Sequence, residues 1–274
     1  MDIANKNIVI TGASAGIGAA LALELASKVK TLILIARRKE LLDKISQKII
    51  AINSSVKVII FPSDITDEKC QQEIIDRLEE QKITIDILIN NAGVGDEKYF
   101  HESDLMKLYS IIDLNIKSVV SFTHLVLREM MQSPKGKGIV FMGSGAGIAW
   151  MPGSAVYSAS KHFITGFTMN LKAELKPYGI DIVLVTPGPV DSEFDKNAGI
   201  DGGMKGGPSQ NTRISSEECA ADIVTQLEKN KSLILPGRKL RRLMNLYINF
   251  PWFLREKLLL SDGKKMFNQK NKKS

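Results

Sequence analysis

Apolar residues fall along this chain in two alternating rhythms. Short runs rich in β-branched residues occur at 7–11, 31–36, 56–61, 85–90, 138–142, 180–186 and 232–235. Between them the apolar positions take helical spacing, near 17–28, 38–52, 67–81, 103–132, 154–176 and 216–230. The strand-like runs are apolar throughout rather than alternating, as expected of strands covered on both faces. Seven such strands, joined through helices by right-handed crossovers, predict an α/β fold with a doubly wound, seven-stranded parallel sheet. No linker composition and no internal repeat interrupts the alternation, so residues 1–237 are read as one domain. Residues 238–274 follow as a basic, apolar extension, a helix and then an unstructured polar end from Lys264 onward.

Composition changes this picture in two places. The 274 residues are 44% hydrophobic and 24% charged, ordinary values for a globular chain. Cys70 and Cys219 are too few for a disulfide scaffold, which points to a reducing compartment. The first residues lack the apolar core of a signal peptide, and no stretch gives about 18 uninterrupted apolar residues, so a cytoplasmic location is expected. Charge is the second change. Residues 238–274 hold eleven Lys or Arg and only Glu256 and Asp262 as acids. That local charge of +9, set against +7 for the whole chain, leaves −2 for residues 1–237. The basic character therefore belongs to the extension, and a nucleic-acid-binding fold is not indicated.

Candidate chemistry gathers at the carboxyl ends of the expected strands, where open α/β sheets bind ligands. The first strand runs into Thr11-Gly12-Ala13-Ser14-Ala15-Gly16-Ile17-Gly18 ahead of a helix. Glycines there permit a tight turn and close approach to a pyrophosphate, which the N–H groups of Gly16, Ile17 and Gly18 would meet. The second strand ends in Arg37 and Arg38, with no carboxylate for a ribose 2′-hydroxyl. Guanidinium groups suit a 2′-phosphate, so NADP(H) is the expected nucleotide, although a solvated pair at a helix start remains the alternative for Arg38. Asp64 and Ile65 follow the third strand and could meet an adenine. Asn91, Ala92 and Gly93 follow the fourth and could line a ribose or brace the sheet; Asx residues and glycine also simply make turns. Farther on, Tyr157 and Lys161 are i and i+4 on one expected helix, thirteen residues after Ser144. A phenol beside an ammonium, with a second hydroxyl in reach, is a proton-transfer set for a carbonyl or alcohol. Asn115 is a lone amide in an apolar helix. His101, His124 and His162 lack zinc-ligand spacing, and no Gly-Lys-Ser/Thr is present, so neither a metal nor a P-loop is expected.

Taken in order, Thr11-Gly-x-x-x-Gly-x-Gly18, Asn90-Asn-Ala-Gly93, Asn115, Ser144, Tyr157-x-x-x-Lys161 and Pro187-Gly188-Pro189-Val190 resemble the short-chain dehydrogenase/reductase family. The resemblance spans about residues 6–237 and implies a Rossmann fold. It implies that Tyr157 is the general acid in ketone reduction, that Lys161 lowers the tyrosine pKa and binds the nicotinamide ribose, and that Ser144 polarises the substrate carbonyl. Asn115 would hold a water in a proton relay. Pro187, Gly188 and Val190 would lie against the nicotinamide, with Ser192 supplying a hydroxyl for its carboxamide. Gly143 stands where many members have a second serine. The implied activity is NADPH-dependent reduction of a ketone, or the reverse oxidation of an alcohol; Ala36-Arg37-Arg38 together with the basic apolar extension tilts the expected substrate toward a hydrophobic or lipid-like ketone, and dimers and tetramers are common in the family. A non-enzymatic NADP(H)-binding regulator on the same fold is the alternative, against which the intact Ser144, Tyr157, Lys161 and Asn115 argue.

Two segments stay outside those motifs. Residues 191–215 carry five glycines and are expected to close over substrate, Phe194 and Met204 forming an apolar wall opposite Trp150 and Met151. Residues 238–255 interleave Arg and Lys with Leu, Ile, Phe and Trp, with Pro251 ending or kinking a helix. Packing on the domain itself or on a twin subunit is the plainer reading of this stretch, and peripheral contact with a membrane surface is the other.

Overall fold

The structure, a computed structural model, describes residues 1–198 and 212–271. Among the described residues the strands are β1 (Asn7–Thr11), β2 (Thr31–Ala36), β3 (Lys57–Pro62), β4 (Ile87–Asn90), β5 (Gly138–Met142), β6 (Asp181–Val185), β7 (Val190–Asp191), β8 (Ile214–Ser215) and β9 (Leu233–Ile234). The helices are α1 (Gly16–Leu25), α2 (Lys39–Ile52), α3 (Glu68–Glu80), α4 (Leu105–Ile112), α5 (Ser118–Met130), α6 (Ala155–Leu175), α7 (Glu193–Asn197), α8 (Ser216–Glu228), α9 (Arg238–Ile248) and α10 (Trp252–Asn271). Seven strands pair in the order β3-β2-β1-β4-β5-β6-β9, every pair parallel, while β7 and β8 pair apart from them. Strand order reverses between β1 and β4, so the carboxyl ends of these neighbours border the crevice where such sheets take ligands.

Side-chain alternation splits the core into two layers. Ile8, Ile10, Leu32, Leu34, Ile87, Ile89, Val140 and Val183 point to the side covered by Leu21 and Leu25 of α1, Leu42 of α2 and Ile223 of α8. Val9, Ile33, Ile35, Leu88, Ile139, Phe141 and Ile182 point to the other side, under Ile74 of α3, Phe122 of α5 and Ile164 of α6. Both layers are buried, which is why the strand runs read as continuously apolar. The stretch Leu105–Met130 is long and apolar enough to cross a bilayer by length and composition. Leu108, Ile111, Val119, Phe122, Val126 and Met130 on it are nonetheless buried within the protein.

The extension continues as two helices. Leu240 and Met244 of α9 are buried with Leu235 and Ile148, and Arg241 reaches Asp222 at 3.0 Å. Pro251 stands immediately before α10, a position that needs no backbone donor. The polar stretch after Lys264, read from composition as unstructured, continues α10 to Asn271. Lys, Met and Gln are good helix formers, and the turns before them already carry the helix.

Candidate active site

At the crevice, the glycine turn is held by contacts that only glycine allows. A Cβ on Gly18 would lie 2.4 Å from the Gly12 carbonyl oxygen and 2.5 Å from Asn91 Nδ2. Gly12 (φ +68°) and Gly16 (φ +55°) adopt the left-handed conformation. Asn91 braces the turn by donating to the carbonyls of Thr11 (2.9 Å) and Gly12 (3.3 Å), and Thr11 Oγ1 accepts from the N–H groups of Asn91 and Ala92 (3.0 Å each). Of the readings open for Asn91, bracing is what these bonds describe. α1 then begins without a side-chain cap, its N-cap being Ala15, and with no acidic residue in its first turn. Uncapped N–H groups at a helix start, with glycine Cα atoms in front, fit a dinucleotide pyrophosphate.

Arg37 and Arg38 leave the end of β2 with different partners. Arg37 is exposed, 4.0 Å from Asp64. Arg38 donates to Glu193 (2.7 Å) and to Ser14 Oγ (3.3 Å), so it spans the glycine turn and α7. Asp64 turns one oxygen to its own loop, accepting from Thr66 N and Oγ1, and Ile65 is buried with its carbonyl held by Gln71.

Asn115 sits where the helix between α4 and α5 widens by one π turn, Asp113–Lys117. Its side chain is buried and held by three hydrogen bonds: Oδ1 accepts from Val94 N (2.9 Å), and Nδ2 donates to Val94 O (2.9 Å) and Ser160 Oγ (3.0 Å). A Cβ on Gly93 would lie 3.2 Å from Asn115 Oδ1 and 3.5 Å from Lys161 Nζ, so both groups border the space above this glycine. The apolar pattern foretold one uninterrupted helix. The π turn that rotates Asn115 inward had no signal beyond the amide itself.

Ser144 leaves β5 on a turn tied to its neighbours: Gly143 N donates to Val185 O (2.7 Å), Gly145 N to Pro187 O (2.8 Å), and Ser158 Oγ of α6 to Ala146 O (2.8 Å). A Cβ on Gly147 would lie 2.5 Å from the Lys161 carbonyl oxygen, so the turn lies directly on α6. This seating puts Ser144 beside Tyr157, where its hydroxyl favours the phenolate. Lys161, one helical turn on, is buried, donates to Met142 O (2.9 Å) and sits 5.9 Å from the centre of the Tyr157 ring. Burial pulls the Lys161 amine down to about 8. Burial also pushes the Tyr157 phenol up, more than Ser144 pulls it down, and Asp195 adds to the rise. The direction is opposite to the lowering expected from Lys161, because the lysine points to the Met142 carbonyl and its charge is itself disfavoured by burial.

The β6 end supplies the far wall. Ser192 lies against the glycine turn, a Cβ on Gly16 falling 3.3 Å from its Cβ, and Val190 is buried beside Ile214 in the β7–β8 pair. Gly188 takes the side chain of Leu240 at 2.9 Å from where a Cβ would be. Phe194 meets the Tyr157 ring at 5.5 Å between centres. Trp150 and Met151 do not join that contact. They line a largely apolar cavity of about 950 Å³ under α10, with Ala159, Leu259 and Phe267, and Trp150 packs edge-on to Trp252 at 4.7 Å. Their partner, α10, is a hundred residues away in sequence, so the turn alone could not assign their direction. Met204 lies outside the described residues. Arg213, which bridges Asp191 (3.1 Å) and Asp195 (2.7 Å), and Glu193 were missed, having no local motif to mark them.

Comparison with known proteins agrees with this geometry. The family model for short chain dehydrogenases matches residues 6–201. Sulfoacetaldehyde reductase 2 of Chromohalobacter salexigens is 38% identical over 188 residues, 68% of this chain and 73% of that enzyme. Dehydrogenase/reductase SDR family member 7 of Mus musculus is 36% identical over 72% of this chain, which spans only 59% of that protein. A short-chain dehydrogenase from Sphingobium yanoikuyae, solved with NADPH, superposes with a TM-score of 0.78 at 27% identity, over 94% of this chain and 96% of that one. One from Burkholderia phymatum, solved with NAD, gives 0.79 at 22% identity over 90% and 94%, a likeness of fold. With a parallel Rossmann sheet, a glycine-rich turn at an uncapped helix start, and Ser144, Tyr157 and Lys161 brought together at the same crevice, the chain belongs to the short-chain dehydrogenase/reductase family of oxidoreductases.

Proposed function

We propose that this chain is an NADP(H)-dependent oxidoreductase that reduces a hydrophobic or lipid-like ketone, or oxidises the corresponding secondary alcohol. The observation that carries the reading is the gathering of Ser144, Tyr157 and Lys161 at the carboxyl end of β5, where the turn after Ser144 is seated on α6 and Lys161 is buried one helical turn from Tyr157. Gly12, Ser14, Gly16, Ile17 and Gly18 would hold the pyrophosphate. Arg37 and Arg38 would hold the 2′-phosphate, Asp64 and Ile65 the adenine, and Ala92 and Gly93 the adenosine ribose, with Asn91 bracing the turn beside them. Pro187, Gly188, Val190 and Ser192 would face the nicotinamide, with Tyr157 and Lys161 at its ribose. When bound, the nicotinamide supplies hydride to the carbonyl carbon.

The chain's own part is the proton. A phenol pushed up by burial stays protonated near neutrality, which suits a donor to the oxygen on which charge grows. Ser144 donates to the same oxygen and holds the carbonyl toward Tyr157. Lys161, titrating near 8, passes a proton back to the phenolate, and Asn115, facing the same space over Gly93, orders the water that links the lysine to solvent. Phe194 against Tyr157 supports a hydrophobic substrate. Exposed Leu105, Met106 and Tyr109 on α4 and Phe163 and Met169 on α6 support a homo-oligomer.

Loss of reduced-nicotinamide absorbance against a panel of steroid ketones, long-chain keto compounds and short aldehydes, sulfoacetaldehyde included, tests the reading with NADPH and NADH in parallel. The expected result is turnover of hydrophobic ketones with NADPH preferred at least about tenfold, the discrimination of one charge-assisted contact. Tight NADPH binding with no turnover on any substrate would favour the regulator instead, and an NADH preference would remove the assignment to Arg37.

A further inference from the structure

The C-terminal extension divides its apolar residues between two destinations. Leu240 and Met244 are buried on the domain, which secures α9. The residues around the elbow between α9 and α10 are not: Leu246 is 59% exposed, Trp252 62% and Phe253 64%, with Ile248 and Leu254 also open to solvent. Only the three residues 249–251 separate these two helix ends, so the exposed apolar groups cluster along the chain on either side of the elbow. Basic side chains outnumber acidic ones beside it, Glu256 being the one acid in 238–257. Arg242 lies one turn before Leu246 and Lys257 one turn after Phe253, each pair sharing a helix face, and Arg238 and Lys239 are exposed on the first turn of α9. Long basic side chains placed this way extend past an apolar contact to reach a charged layer above it.

We propose that this elbow docks on an anionic phospholipid bilayer, Leu246, Trp252 and Phe253 entering the interface and Arg238, Lys239, Arg242 and Lys257 meeting the headgroups. Charge complementarity selects that occupant. Residues 238–257 hold six Lys or Arg and one acid, Glu256, a local charge of +5, while residues 1–237 carry −2, so a negative surface attracts this segment in preference to the domain. Low net hydrophobicity with Trp, Phe and Leu against Arg and Lys is the pattern of helices that lie in an interface rather than span it. A second copy of this chain carries the same positive charge at its own elbow, and two such elbows repel.

Docking here does not depend on the redox assignment. It does place the β5–α6 connection near lipid, since Trp252 packs on Trp150.

The test is co-sedimentation of the full chain with extruded phosphatidylcholine vesicles, with and without about 30 mol% phosphatidylglycerol. Two paired variants, Leu246→Asp with Phe253→Asp and Arg242→Gln with Lys257→Gln, change only exposed positions. Their thermal unfolding and NADPH binding report that the fold is intact. Wild type is expected to pellet with the anionic vesicles at least about tenfold better than with neutral ones, and to be released at about 0.5 M salt. Each paired variant should lose about tenfold or more of the anionic binding. Wild type remaining in the supernatant with anionic vesicles would overturn the proposal, as would both variants pelleting like wild type. Failure to pellet combined with a dimer that the Asp variant converts to monomer would overturn it in favour of a face between copies.

Discussion

Lys161→Met should stabilise the fold while removing a group that the proposed chemistry needs. The ammonium is buried, has no carboxylate partner among the described residues, and donates a hydrogen bond to Met142 O at 2.9 Å. Burial takes its pKa from 10.5 to about 8. The charged form is therefore disfavoured in the fold, and between about pH 8 and 10.5 the unfolded chain binds more protons than the native one. Wild-type stability from this group accordingly rises with pH through that window, and below it the whole cost of the buried charge is present. A tenfold change in a protonation equilibrium is worth about 1.4 kcal/mol, so lowering the lysine to about 8 costs the fold about 3 kcal/mol. Methionine keeps the length and apolar stem but leaves Met142 O without its donor, which returns about 1 kcal/mol. The variant should therefore be about 2 kcal/mol more stable at pH 7, a rise of about 4–8 °C in Tm. At pH 10 the charging cost has fallen to about 1 kcal/mol, which the bond to Met142 O offsets, so the two proteins should be nearly equal in stability. Urea denaturation of both proteins at pH 7 and 10, compared as a difference so that all other groups cancel, measures this. A variant less stable than wild type at pH 7, or a difference that does not change with pH, is incompatible with an ammonium that burial destabilises.

Other perturbations separate the parts of the site. Gly18→Ala puts a Cβ 2.4 Å from a backbone oxygen that cannot step aside, so the turn should open at a cost of about 1–3 kcal/mol, and nucleotide Kd by fluorescence titration should rise by at least about tenfold. Arg37→Ala should raise the KM for NADPH about 10–100-fold, the loss of one charge-assisted contact, with that for NADH changed less than about twofold. Phe122→Ala, in the buried layer under α5, should cost about 3–5 kcal/mol in urea denaturation and serves as a measure of core packing independent of the site.

Strand runs and the glycine turn were legible because their signals are local. Continuous apolar stretches, a change of period and a Gly-rich junction are all written within about ten residues, and strands 7–11, 31–36 and 138–142 appear in the fold with the bounds read from the sequence. What joins distant segments was not legible. Trp150 and Met151 face α10 rather than Phe194, because α10 comes from the other end of the chain. Glu193 and Arg213 carry no motif, yet each bridges segments around the site. The Tyr157 phenol rises rather than falls because burial, a property of the whole fold, outweighs the pull of Ser144, while Lys161 turns to Met142 O. The order of the sheet likewise depends on pairings between segments far apart in the chain.

The proposed chemistry depends most heavily on Tyr157 as the proton donor. Tyr157→Phe keeps the ring that packs on Phe194 and removes only the hydroxyl beside Ser144. Single-turnover oxidation of NADPH with whichever ketone the panel identifies, alongside the Kd for NADPH, is the direct measurement. The expected outcome is a rate lower by about 10²–10⁴ with Kd changed less than about threefold. Turnover within about tenfold of wild type would show that the proton comes from another group.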